Sequence, residues 1–396
     1  MNHIDRLPKE LLLLILDHIA MPSDHNQCNP RHRDMLIHLR RCTLVNKRFY
    51  DAVIPTIWSN PTRFKQAMNF KTPTLPLLLN ILQSSSRSTS LGQHIRQLQF
   101  DDGYSVEVMV PLISYTPLLK ILDISCHHRV PRNIDAPLRQ MPPHCPDLVA
   151  LTLTGMEFGD QALAVISQCC RSIRTLTFRQ CTGFSDEALN ALLTGYQSSL
   201  QSFSLSVSRA WPDRLGNHLH LDHLQQISSL SLTGCDGIGN RFLRCSRFPF
   251  LTECQLRDSG VDIHADPSAL LSFLQAHPLL KSLTLWHCKV DDRTLVSLVP
   301  SIIPNLYRLS LTDNGYPLSA NVVRQLVKNC VCLSWLHLND CSIPSSCFPE
   351  VSHWSFKIEL LKPDDIIKIR RSDSNRIFTV ENDEVPNREI DYRISA

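Results

Sequence analysis

The sequence predicts an α/β solenoid preceded by a small all-α domain. The solenoid is read as a parallel β-sheet on the concave side with helices on the convex side. Three observations predict it. An alternating apolar pattern recurs ten times between residues 95 and 345, in steps of 24 to 29 residues. The stretches between copies carry helix caps or end on proline. Residues 1 to 60 share none of this and read as helices. A fixed period of this length is the mark of stacked units that bury a common core.

Each copy runs apolar, two variable, apolar, one variable, apolar, two variable, then a cysteine, asparagine or small residue. The leading positions are Ile95, Leu119, Leu148, Ile173, Leu200, Ile227, Leu251, Leu280, Leu306 and Leu333. Alternation gives a short strand with one face turned into the core. The return segment is read as helical where a cap is legible: Ser185-Asp186-Glu187 precedes Ala188, Leu189, Ala191 and Leu192. Pro117, Pro146, Pro249, Pro278 and Pro304 then stop the return before the next strand. The clearest units are Ile173-Arg-Thr-Leu176-Thr-Phe178-Arg-Gln-Cys181 and Leu280-Lys-Ser-Leu283-Thr-Leu285-Trp-His-Cys288. This pattern resembles the leucine-rich repeat in its cysteine-containing subtype, across residues 95 to 345.

The chain has 15 cysteines. Cys181, Cys235, Cys288 and Cys341 take the ninth position of alternate repeats. Stacked strands are about 4.8 Å apart, which places neighbours in this set about 10 Å apart. A disulfide needs Cα atoms within about 7 Å. These thiols are therefore expected to be buried, small and bonded to loop backbone.

The N-terminal 60 residues open on Leu7-Pro8-Lys-Glu-Leu11, followed by apolar positions including Leu14, Ile15 and Ile19. A polar stretch from Met21 to about Arg33 reads as an inserted loop. Leu44-Val45-Asn46-Lys47-Arg48-Phe49 and then Trp58 follow. This segment resembles an F-box. The resemblance implies docking on a Skp-type adaptor and, through it, a cullin scaffold, carried by Leu7, Pro8, Leu11, Ile15, Leu44, Val45 and Phe49. Together with the repeats it implies a non-catalytic substrate receptor of a ubiquitin ligase. The other reading is a free-standing binding module or inhibitor whose N-terminal helices cap the solenoid, because end repeats need covering.

Residues 61 to 94 read as a joint, helical around Met68 to Gln83 and serine-rich from Ser84 to Ser90. Residues 346 to 396 read as a capping hairpin or tail, with strands at Ile366–Arg371 and Arg376–Val380. On the sheet, the third, fifth and seventh positions of each repeat face outward. Middle repeats present Thr175, Thr177, Ser202, Ser204 and their neighbours, nearly without charge. Later repeats present Arg257, Trp286, Arg308, Trp335 and His337. Exposed tryptophan and arginine dominate interface energies, so the protein substrate is expected there.

Catalysis, metals and cofactors are not expected. His218, His220 and His223 have spacings that match no zinc template. Arg179, Arg257 and Arg308 would be the candidates for a GTPase-activating arginine, a role the repeat subtype and the N-terminal resemblance disfavour. No phosphate-binding loop or nucleophile elbow occurs. A net charge of +3 argues for neither nucleic acid nor a membrane surface. The expectation is a soluble chain of the cytoplasm or nucleus.

Overall fold

The computed structural model describes residues 38–39, 41–62, 74–84, 91–101, 106–127, 131–207, 218–298, 305–313, 315–351 and 356–372. Ten repeats yield ten strands stacked side by side in parallel. They are β1 Gln97–Phe100, β2 Ile121–Ser125, β4 Ala150–Thr154, β6 Thr175–Arg179, β7 Ser202–Ser206, β8 Ser229–Thr233, β9 Glu253–Arg257, β10 Ser282–Trp286, β11 Arg308–Thr312 and β12 Trp335–His337. Two short strands, β3 Arg132–Asn133 and β5 Met156–Glu157, pair separately beside the early repeats. Equivalent positions pair one to one along the main sheet: Leu176 with Phe203, Leu230 with Cys254, Leu283 with Leu309. All ten leading residues are buried, none more than 2% exposed. At about 2 kcal/mol per fully buried leucine or isoleucine, this column alone is a large favourable contribution.

Helices cover the other face of the sheet. Described are α1 Lys47–Trp58, α2 Thr74–Ser84, α3 Val106–Ser114, α4 Asp135–Gln140, α5 Asp160–Cys169, α6 Asp186–Gly195, α7 Gly239–Cys245, α8 Pro267–Ala276, α9 Asp292–Leu298 and α10 Ala320–Asn329. Ser185 caps α6 as its sequence predicts, accepting a hydrogen bond from the Ala188 N–H at 3.1 Å. Leu189, Leu192 and Leu193 then face the core.

Seven of the ten strands are followed by a left-handed residue; Cys126 after β2 and Val207 after β7 are not left-handed. The eighth position has positive φ at Gln180, Asp258, His287, Asp313 and Asp340, and glycine serves at Gly155 and Gly234. At Gly155 a Cβ would sit 2.1 Å from the Cys126 carbonyl oxygen, so a side chain is excluded there by contact as well as by φ. The ninth-position thiols are buried as expected, but they bond to strand carbonyls rather than loop backbone. Cys181 Sγ donates to the Leu153 carbonyl at 3.3 Å, and Cys341 Sγ to the Leu311 carbonyl at 2.8 Å, each on the preceding strand. Burial pushes the Cys181, Cys235, Cys288 and Cys341 thiols up to about 12.

The stretch read as a joint contributes to the solenoid itself. Leu75, Leu78 and Leu82 of α2 are buried in the main core. Helix α1 has a separate small cluster of Leu39, Ala52 and Val53, with Cys42, Phe49 and Ile57 packed on it. Its end is tied to the sheet: the Ser59 carbonyl accepts from both Arg96 and Gln97 N–H at 2.9 Å.

The C-terminal hairpin expectation is corrected over its first arm. Residues 363–371 form a helix, α11 Pro363–Arg371, preceded by strand β13 Leu360–Leu361, which pairs antiparallel to β12. Ile366 and Ile369 lie three apart on one buried face, and a strand would have separated them. Proline opens the helix, aspartates fill its first turn and basic residues its last. The expected second arm, 376–380, lies outside the described residues.

Candidate functional site on the open face of the sheet

Parallel pairing brings the predicted surface residues together as two separate pairs. On the seventh position, Arg257 and Trp286 are cross-strand neighbours, with the guanidinium 3.4 Å from the indole centroid. On the third position, Arg308 and Trp335 are neighbours at 5.7 Å. The pairs sit at opposite ends of the strands and two strands apart, a diagonal of about 16 Å at ordinary strand spacing and rise. The surface expected at Arg257, Trp286, Arg308, Trp335 and His337 therefore holds two cation–π stations separated by the side chains of Thr284 and Ser310. Exposed stacks of this kind contribute about 0.5 to 1 kcal/mol each and hold the guanidinium flat.

The two stations differ in their hydrogen bonding. Trp335 Nε1–H donates to the Tyr307 hydroxyl at 3.1 Å. Trp286 Nε1–H is buried with no acceptor among the described residues. Arg257 Nε lies 3.5 Å from Asp258 Oδ2, near enough for an ion pair, but it makes no hydrogen bond. His337 pairs with Ser310 beside the second station. Burial, and then the Arg308 charge, lower its pKa, so it is a neutral imidazole at pH 7.

Asp258, His287, Asp313 and Asp340 take the eighth position of the last four repeats, on the adjoining edge, and the structure links three of them. The His287 ring lies between Asp258 and Asp313, each carboxylate contacting one ring nitrogen. A second such pair, His264 with Asp291 at 2.9 Å, was not anticipated. It is a contact between residues 27 positions apart, legible only once the repeat register is known.

The remaining candidates resolve differently. Leu7, Pro8, Leu11 and Ile15 lie outside the described residues. Leu44 and Val45 are 81% and 57% exposed in the turn before α1. Phe49 packs on the small cluster, and its N–H is held at 2.9 Å by Asn46 Oδ1. The His218–His220 segment is anchored through backbone: Asp186 Oδ2 accepts from His218 N–H and Asn190 Oδ1 from His220 N–H, both at 2.9 Å. A cavity of about 120 Å³ lies between this segment and α7, lined by His218, Asp222, Arg241 and Phe242 among others. Among the described residues no cluster of histidine, cysteine or carboxylate has metal-holding geometry, and no helix is long and apolar enough to cross a membrane.

No family model matches the chain. Among solved structures it is similar to a chain of the yeast Rad7 and Elc1 complex, at 14% identity, covering 82% of this chain and 96% of that one, with a TM-score of 0.38. It is also similar to the leucine-rich repeat-containing protein LegL7 of Legionella pneumophila, at 14% identity over 74% and 95% of the two chains, with a TM-score of 0.39. A third likeness is an internalin of Listeria monocytogenes, at 14% identity over 57% and 64%, with a TM-score of 0.32. The chain's own register decides the architecture: ten repeats pair position for position, strands on one face and helices on the other. The fold is a leucine-rich-repeat solenoid of mixed α/β class.

Proposed function

We propose that this chain is the non-catalytic substrate-recognition subunit of an SCF-type ubiquitin ligase, docking on a Skp-type adaptor through its N-terminal helices. The substrate would be held on the open sheet face. The observation that carries the reading is the exposed apolar pair Leu44 and Val45. It sits on a helical unit whose small core is separate from that of the solenoid. Adjacent exposed apolar side chains beside an F-box-like sequence are what an adaptor would cover. The ligase would supply the chemistry, and this chain proximity.

A free-standing binding module is favoured by a different observation. Trp58 packs against the main core, and Ser59 continues the hydrogen-bond ladder into β1, as a cap would. Pull-down of the full chain with a Skp-type adaptor and cullin separates the two readings. Leu44→Asp with Val45→Asp is expected to weaken adaptor capture by more than about tenfold. Stability should stay within about 0.5 kcal/mol, because both side chains face solvent. An intact chain that captures no adaptor would leave the module reading in place.

A further inference from the structure

The open face is electrically polarised along its strands at β10 to β12. Lys281 and Arg308 are exposed where β10 and β11 begin. Arg308 stacks on Trp335 and makes no ion pair among the described residues. At the other end, Asp340 is exposed beyond β12, and Asp313, its side chain 46% exposed and one oxygen on the His287 ring, stands beyond β11. Arg308 and Asp313 are five positions apart on one strand, about 16 Å at strand rise. Between the two rims lie the half-buried Trp286 and the uncharged Thr284 and Ser310.

A partner of one charge sign is poorly matched to this face. A wholly acidic segment satisfies Lys281 and Arg308 but brings carboxylate against Asp313 and Asp340, and a wholly basic one meets the converse. Like-charge juxtaposition across an interface costs several kcal/mol, so it selects against wrong partners. We infer that β10 to β12 take a zwitterionic segment of a partner protein, extended along the strands. Its carboxylate sits over Lys281 and Arg308. Its amine or guanidinium sits over Asp313 and Asp340, about five residues away at an extended rise of about 3.3 Å each. An apolar or aromatic side chain between them packs on the Trp286 indole, and the Thr284 and Ser310 hydroxyls meet the peptide backbone.

This inference rests on the open face being the substrate surface, not on adaptor docking. The test is display selection of random 12-residue peptides on the immobilised full chain at low salt. Selected pools are expected to be enriched about tenfold in an acidic and a basic residue four to six positions apart, with an apolar residue between, a gain of about 1.4 kcal/mol. Arg308→Glu should convert the acidic preference into a basic one. Arg308→Gln, which keeps the aliphatic stem over Trp335, should erase it without reversal. Asp340→Asn, which tolerates the left-handed backbone there, should weaken the basic preference. Pools of one charge sign, pools unchanged by the Arg308 variants, or no enrichment over bare support would each overturn the inference. Adaptor capture through Leu44 and Val45 is read in a separate pull-down and stands or fails independently.

Discussion

His277 is 2% exposed and completes two hydrogen bonds inside the core. Its Nε2 accepts from the Phe248 N–H at 3.0 Å, and its Nδ1–H donates to the Phe273 carbonyl at 2.6 Å. That arrangement fixes one neutral tautomer. Burial lowers its pKa, outweighing the raising effect of the Phe273 bond. The unfolded chain binds this proton at about pH 6.5, the folded chain only at lower pH. Stability from this residue is therefore complete above about pH 6.5 and is lost as pH falls through the folded value. Denaturant titrations from pH 7.5 to 5 should show that decline. His277→Leu should flatten the histidine part of the slope and cost about 1 to 3 kcal/mol at pH 7.5, because the Phe248 N–H loses its acceptor. Nothing in the sequence distinguished His277 from the other histidines, since its partners lie 29 and 4 positions away.

Helix α11 shows why some elements were legible and this one was not. Ten strands could be read because each repeats a period-two pattern in a fixed register, and each copy corroborates the others. The Ser185 cap was likewise local and self-evident. Ile366 to Arg371 offered only six residues, in which Ile367, Lys368, Ile369 and Arg370 alternate as well as they wind. The deciding signals were at the helix ends, in Pro363, Asp364 and Asp365. Arg370 shows what the helix does. Its guanidinium donates to the Val327, Cys330 and Leu333 carbonyls at 2.8, 2.5 and 2.9 Å, satisfying the C-terminal end of α10. Arg370→Ala should cost about 2 to 3 kcal/mol. Amide exchange should rise first in residues 320–337 and 363–371, ahead of the middle repeats.

Across the whole molecule, the ten-repeat stack makes a rigid frame and leaves binding to whatever the outward columns carry. The fifth column is uncharged from Thr152 through Thr177, Ser204 and Ser231 to Ser310, and apart from Arg179 on β6, Trp and Arg enter the outward columns only at the later strands. Those residue types were visible in the sequence, but their grouping into two stations needed the cross-strand register. Substituting both Trp286 and Trp335 by alanine should reduce substrate capture by at least about 30-fold. Circular dichroism should stay unchanged, because both indoles project from the open face of the sheet. Capture that survives the double substitution would place the substrate elsewhere.

The left-handed residue closing seven of the ten strands narrows what the solenoid can display along that border. Side chains branched at Cβ are penalised at every such step, and glycine, asparagine, aspartate and a few other residues remain. Variation in recognition can therefore spread through the three outward columns but has a short vocabulary at the edge. The run of Asp258, His287, Asp313 and Asp340 occupies that restricted border. A redesign that seeks new specificity should alter the columns freely and treat the border as nearly fixed.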